Sequence, residues 1–135
     1  IFLLFITSTA FSQKEQFPTA TISDSLKQNA NAVVRLLQTD ITITSQRNMT
    51  IATKRVVTIL NENGLSAIDA MEYYDNKTSV KLIEATVYDG FGNEIKHIKR
   101  KDFRDQSLIS GGSLFSDSRY IYLDYTPTQY PFTII

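Results

Sequence analysis

His97 is the only histidine in the chain and cysteine is absent, so the search for catalytic chemistry begins from a short inventory. As a general base, His97 needs a nucleophile to activate and an acid to orient it. Its strand neighbours Lys96 and Ile98 point the opposite way, which leaves a structural histidine as the expected role. Without cysteine there are no disulfides, no thiolate metal sites and no thiol nucleophile. With one histidine, no two-histidine metal site can form within the chain. Asp89, Asn93 and Glu94 surround Gly90 and Gly92, a composition a calcium loop also uses, but the EF-hand spacing is missing and turn chemistry accounts for all of them.

Tyrosine is more prominent, with seven in the chain. Tyr120 and Tyr122, with Tyr73 and Tyr74 on another segment, could form an aromatic platform that stacks on sugar rings; cross-strand packing on a sheet face is the structural alternative. Asp117 and Arg119, beside the Gly111-Gly112 loop, could hold a ligand carboxylate, or pair with each other to fix that loop onto the following strand. Tyr120, Tyr122, Asp117 and Arg119 are therefore the candidate ligand or interface residues. No catalytic, cofactor-binding or metal-ligating residue is assigned. Asn48-Met49-Thr50 and Asn76-Lys77-Thr78 fit the glycosylation sequon, a pattern common by chance.

The elements that must position these groups are strands. From Ile83 to Val87 the apolar Ile83, Ala85 and Val87 alternate with Glu84 and Thr86, the period of a half-buried strand with its odd positions facing the core. Asp89-Gly90 and Gly92-Asn93 tolerate positive φ and turn the chain back. Val33 to Thr44 and Thr50 to Leu60 are β-prone, with a turn at Gln46–Met49 and with Ile51, Val57 and Ile59 on one face. Asn61-Glu62-Asn63-Gly64 signals a further reversal. Ala67 to Tyr74 has apolar spacing that would suit a helix, but its β neighbourhood favours a strand. Ser110–Ser113 reads as a loop, and Arg119 to Tyr125 as a strand with Ile121, Leu123 and Tyr125 on one face. Short strands separated by turn signals predict an all-β antiparallel sandwich.

At 135 residues the chain holds one core. Fourteen basic and fourteen acidic residues cancel, so no global field favours nucleic acid or an anionic membrane. The cluster Lys96, Lys99, Arg100, Lys101 and Arg104 is interrupted by acids and reads as a solvated strand end. Ile1–Ile6 is apolar and is followed by small residues, with Ala10 and Ser12 placed as before a signal-peptidase cut. It is too short to span a bilayer, so export is expected, to the periplasm or the exterior, with a mature start near Gln13. The rival is a buried strand. Lacking an initiator Met and a basic region, residues 1–12 read as a truncated signal peptide. Residues 13–30 read as linker and a short helical turn at Ser23–Ala30, and 31–135 as the sandwich. Tyr130–Ile135 opens an apolar strand without a cap, which would leave an unprotected edge and reads as a domain incomplete at its C-terminus.

Several segments in this order are similar to the DUF3857 family: Asp24–Arg35, Val87–Asn93, Lys101-Asp102-Phe103, Leu114–Arg119 and Tyr130–Ile134. The resemblance implies an immunoglobulin-like β-sandwich that precedes a transglutaminase-like domain in exported proteins, mostly of Bacteroidota, and is not itself the catalyst. Asp117 and Arg119 match the family pattern as positions of unknown role. The implied function is a non-catalytic accessory domain, with the downstream transglutaminase-like domain as partner and no cofactor. The alternative is a carbohydrate- or peptide-binding module using the tyrosine-rich face.

Overall fold

A computed structural model describes residues 16–108 and 117–135, and among these described residues alternating β-branched side chains form eight strands. They are β1 (Ala32–Ser45), β2 (Asn48–Ile59), β3 (Met71–Tyr74), β4 (Ala85–Asp89), β5 (Glu94–Ile98), β6 (Arg104–Ser107), β7 (Arg119–Tyr122) and β8 (Phe132–Ile134). One sheet has the order β1-β2-β8-β4-β5 and the other β3-β7-β6, and every pairing is antiparallel. The fold is the expected all-β antiparallel sandwich. The residues assigned to the signal peptide and to the Ser110–Ser113 loop lie outside the described residues.

The core lies between the sheets. Val57, Ile59, Ala85, Val87, Ile98, Phe132 and Ile134 of the larger sheet meet Phe103 and Ile121. Ala85 and Val87 face inward as their alternation requires, while Ile83, just before β4, packs partly buried against the same cluster. In the turn after β4, Asp89 Oδ1 accepts from the backbone N–H of Phe91 and Asn93, both at 2.9 Å, and Gly92 adopts φ +91°. That carboxylate is fully engaged by turn contacts, which depress its pKa, the Asn93 side chain contributing most.

Several boundaries differ from the sequence expectation. The reversal at Asn61–Gly64 is the start of a 3-10 segment, Glu62–Ile68, whose first turn is capped by the Asn61 side chain accepting from Asn63 N–H at 3.0 Å. That segment takes Ala67 and Ile68, so the strand expected over 67–74 shrinks to β3. The turn after β1 tightens to Gln46-Arg47. β7 ends at Tyr122, although Leu123 and Tyr125 still pack on the core side. Ile51 does not share the burial of Val57 and Ile59 but is exposed, because the second sheet does not reach that far along β2.

β8 requires a larger correction. It is no edge: it lies between β2 and β4, with Ile134 opposite both Val57 and Val87. Phe132, Thr133 and Ile134 are all buried. A strand paired on both sides leaves no exposed backbone ladder, so the edge argument does not apply to it.

The outer face of this centre is covered as well. The residues read as linker run across it, with Thr19 N–H donating to Gly90 O at 2.9 Å. A bulge in β1 between Val34 and Leu36 leaves Arg35 without a ladder partner. The bulge turns Arg35 onto this segment, where it donates to Phe17 O at 2.7 Å and Thr21 Oγ1 at 2.5 Å. Beneath lie Thr58 and Thr133, fully buried, with their hydroxyls 2.7 Å apart. Thr133 donates on to Phe17 O at 3.3 Å, so Thr58 is the donor to Thr133. Thr133→Val should cost ~1–3 kcal/mol, since it strands the Thr58 hydroxyl. Thr58→Val should cost less, because Thr133 keeps its acceptor, and the double valine should recover most of the loss. Urea unfolding of the three variants checks the asymmetry; equal single losses would contradict this direction of donation.

Candidate functional site

The smaller sheet brings the candidate residues together, and its register sorts them onto two faces. On one side of β3-β7-β6 lie Tyr73, Tyr120 and Gln106 in one row and Met71, Tyr122 and Arg104 in the next. On the other, Tyr74, Arg119 and Ser107 form one row, followed by Glu72, Ile121 and Asp105. Because Ile121 is a core residue, the second set faces the larger sheet and the first faces away. Consecutive residues alternate sides along a strand, so Tyr74 is separated from the aromatic platform expected to include it.

On the inward side Arg119 is held by three side chains from the two neighbouring strands. Its Nε donates to Asp105 Oδ1 at 2.9 Å and to Tyr74 Oη at 3.0 Å, its guanidinium to Ser107 Oγ at 2.9 Å, and its second terminal nitrogen lies 2.9 Å from Asp105. Tyr74 in turn donates to Asp105 Oδ2 at 2.5 Å. The expected pairing of Asp117 with Arg119 is not what forms: Asp117 accepts from Asn76 Nδ2 at 3.0 Å, and Asp105 takes its place. Asp105 sits opposite Ile121 in the ladder, which puts it on Arg119's face, whereas Asp117 precedes the strand. With its donors engaged in this way, Arg119 joins the strands of the small sheet, and a ligand carboxylate would have to displace Asp105.

The Tyr74 hydroxyl, then Arg119, hold the Asp105 carboxyl below its ordinary range, and the same contacts raise Arg119. A carboxylate depressed by folding contributes stability above its unfolded pKa and loses it as pH falls through the folded value. Asp105→Asn should therefore lessen the acid sensitivity of the fold below the ordinary Asp range, near pH ~4. Thermal melts from pH 7 downward read this; parallel curves for wild type and variant would contradict it.

The outward side carries the aromatic surface. Tyr120 and Tyr122 stack with ring centroids 5.3 Å apart and planes at 21°, and Tyr73 follows at 6.1 Å from Tyr120. Gln106 ties the two hydroxyls, accepting from Tyr120 at 2.7 Å and donating to Tyr122 at 3.2 Å. Gln106 belongs to the site although sequence reasoning passed over it; its register opposite Tyr120 is the only signal. Tyr73 is 57% exposed. Beside the rings an open groove of about 500 Å³ runs between the end of β7 and the 3-10 segment, bounded by Tyr120, Tyr122, Tyr125, Leu65 and Ile68. Flat rings fixed by a bridging amide, beside a groove that also takes in Asp69 and Asp124, can stack on a sugar ring or seat a peptide side chain.

The other candidate groups make local contacts. His97 Nδ1 lies 3.0 Å from Thr86 Oγ1 and its Nε2 lies 3.8 Å from Glu84. In the basic cluster, Arg100 donates to Val80 O, Arg104 pairs with Asp124 at 2.7 Å, and Lys96 lies over the Tyr125 ring at 5.6 Å. Among the described residues no group of acids and histidine is placed to hold a metal ion, and no helix is long and apolar enough to cross a membrane.

Every strand except β1 falls within residues 45–134, the span matched by a family model described as a Domain of Unknown Function with solved-structure structure, DUF3857. The chain belongs to the DUF3857 family. No curated protein and no solved structure matches it. Both faces of the small sheet, with Arg119 and the tyrosine row, lie inside the DUF3857 span, as does Asp117.

Proposed function

We propose that this DUF3857 chain is a non-catalytic β-sandwich module of an exported protein, and that it supports or positions a transglutaminase-like domain carried on the same polypeptide. The observation that carries this reading is the division of labour on the small sheet. The groups with chemical potential, Arg119, Asp105 and Tyr74, are locked into one another, while the aromatic face turned away from the core leaves Tyr73 and Met71 exposed among the described residues. A module of that kind acts through its surface. The resemblance in segment order supports the transglutaminase-like partner, and the apolar run before Ala10 and Ser12 supports export.

The stacked Tyr120 and Tyr122 favour a second reading, a carbohydrate- or peptide-binding module using the same face. One measurement separates the two: nitration of Tyr73, read by mass spectrometry, in the isolated chain and in the full polypeptide. Under the positioning role, Tyr73 reacts in the isolated chain and is protected in the full polypeptide. Tyr73 that reacts equally in both, but is protected by oligosaccharide or peptide, would replace the first reading with the second.

A further inference from the structure

The β1–β2 hairpin is much longer than the sheet it belongs to. β8 pairs with β2 only from Val57 to Ile59, so the ribbon from Leu37 to Arg55 projects as a two-stranded arm. Its ladder places Leu37 opposite Arg55, Thr39 opposite Thr53, Ile41 opposite Ile51 and Ile43 opposite Met49, all on one side of the ribbon. Gln38, Asp40, Thr42, Thr50, Ala52 and Lys54 occupy the other. The arm is therefore amphipathic, and its apolar side continues the core-facing side of β2, where Val57 and Ile59 are buried. Among the described residues none covers it along the arm: Leu37, Ile41, Ile43, Met49 and Ile51 are between 56% and 71% exposed. A lone two-stranded ribbon is marginal in water, and an exposed apolar stripe of this size marks a contact surface.

We propose that this surface is covered by a second copy of the chain, the two arms packing face to face about a two-fold axis. Three observations select that occupant. Beyond the Leu37–Arg55 pair at its base, where Arg55 is paired with Asp69, the stripe carries no charge, so apposing it to itself brings no like charges together along its length. At roughly 100 Å² of apolar area per large aliphatic side chain, five residues more than half exposed offer about 300 Å² per copy. Two copies then bury about 600 Å² of apolar surface, below the ~1,000 Å² of a stable interface, which makes the expected dimer weak and reversible. Charge at the arm's ends then sets the direction. Arms packed tip to tip would oppose Arg47 to itself, whereas arms packed tip to base bring it towards the neutral Arg55–Asp69 pair, held at 2.9 Å. The axis then passes near the Ile41–Ile51 pair. This contact is independent of the tyrosine face and of the partner domain proposed above.

Sedimentation of the purified chain over a range of concentrations tests the proposal. A weak, reversible dimer is expected, abolished by Ile51→Lys and retained by Thr42→Lys on the polar side, with both variants keeping the native circular dichroism spectrum. Because the chain has no cysteine, Ile41→Cys supplies a second readout: oxidation should give a covalent dimer, and Thr42→Cys should not. A chain that stays monomeric at every concentration overturns the proposal, as does a dimer indifferent to Ile51→Lys or equal cross-linking at positions 41 and 42. Protection of the arm only by a different protein would overturn it too.

Discussion

Val87→Asp should unfold most of the protein under conditions where Thr86→Asp leaves it folded. Val87 is 0% exposed and sits in the centre of the core beside Phe132 and Ile134. An aspartate there loses the packing of the isopropyl group and must either bury an unpaired charge or stay protonated. Lys96 is opposite in the β4–β5 ladder, but its ammonium lies over Tyr125 and would have to leave solvent to reach the core. The expected loss is at least ~3–5 kcal/mol, against a total of ~5–15 kcal/mol for a domain of ordinary stability. Burial raises the pKa of the new carboxyl, so the penalty should shrink as pH falls through that raised value. Thr86 faces the other way, half-buried, with its hydroxyl on His97, and its replacement should cost under about 1 kcal/mol. Urea titrations at pH 7 and pH 5 decide it. Equal losses at 86 and 87 would mean that β4 is buried alike on both faces and that the register is wrong.

Gly64→Ala should be the most damaging substitution among the described glycines. A Cβ at Gly64 would lie 2.2 Å from Asn31 O and 2.7 Å from Asn31 C, both backbone atoms. Asn31 O also accepts from Leu60 N–H at 2.9 Å, directly beside the Ala32–Ile59 pair that begins the β1–β2 ladder. Neither side of the clash is a flexible side chain, so relief requires moving the 3-10 segment away from the larger sheet. A cost of ~3 kcal/mol or more is expected. Gly92→Ala is the comparison. There φ is +91° but the new Cβ would meet only Pro18 at 3.5 Å, so the cost is mainly conformational, about 1 kcal/mol. Thermal melts rank the two; a Gly64 variant no less stable than the Gly92 variant would show that Asn31 can shift freely.

The strands were largely legible in the sequence because their signal is local. Ala85 and Val87 alternate with Thr86, the glycine-rich turn follows, and the long β-branched runs before and after Gln46-Arg47 form one hairpin. The same alternation contained the separation of Tyr73 from Tyr74, though composition drew the two together. Where a strand sits in a sheet is not local. The residues of β8 read as an exposed apolar end, yet they form the most enclosed strand of the larger sheet, because a three-residue strand is specified by neighbours some seventy-five residues away in Thr58 and not by its own pattern. Val56 and Thr58 are buried on the side opposite the sandwich core because the segment from Phe17 to Ile22 crosses over them, held by an arginine that a bulge turned outward.

The same reason governs the candidate site. Sequence proximity paired Arg119 with Asp117, two residues away, whereas the ladder between β6 and β7 delivers Asp105 to the guanidinium from fourteen residues away. Strand periods and turns could be read along the chain, since they follow from backbone sterics and the two-residue repeat of side chains. Which side chains meet could not, because cross-strand register is set by the whole core closing at once, and a shift of one residue would exchange every inward group for an outward one.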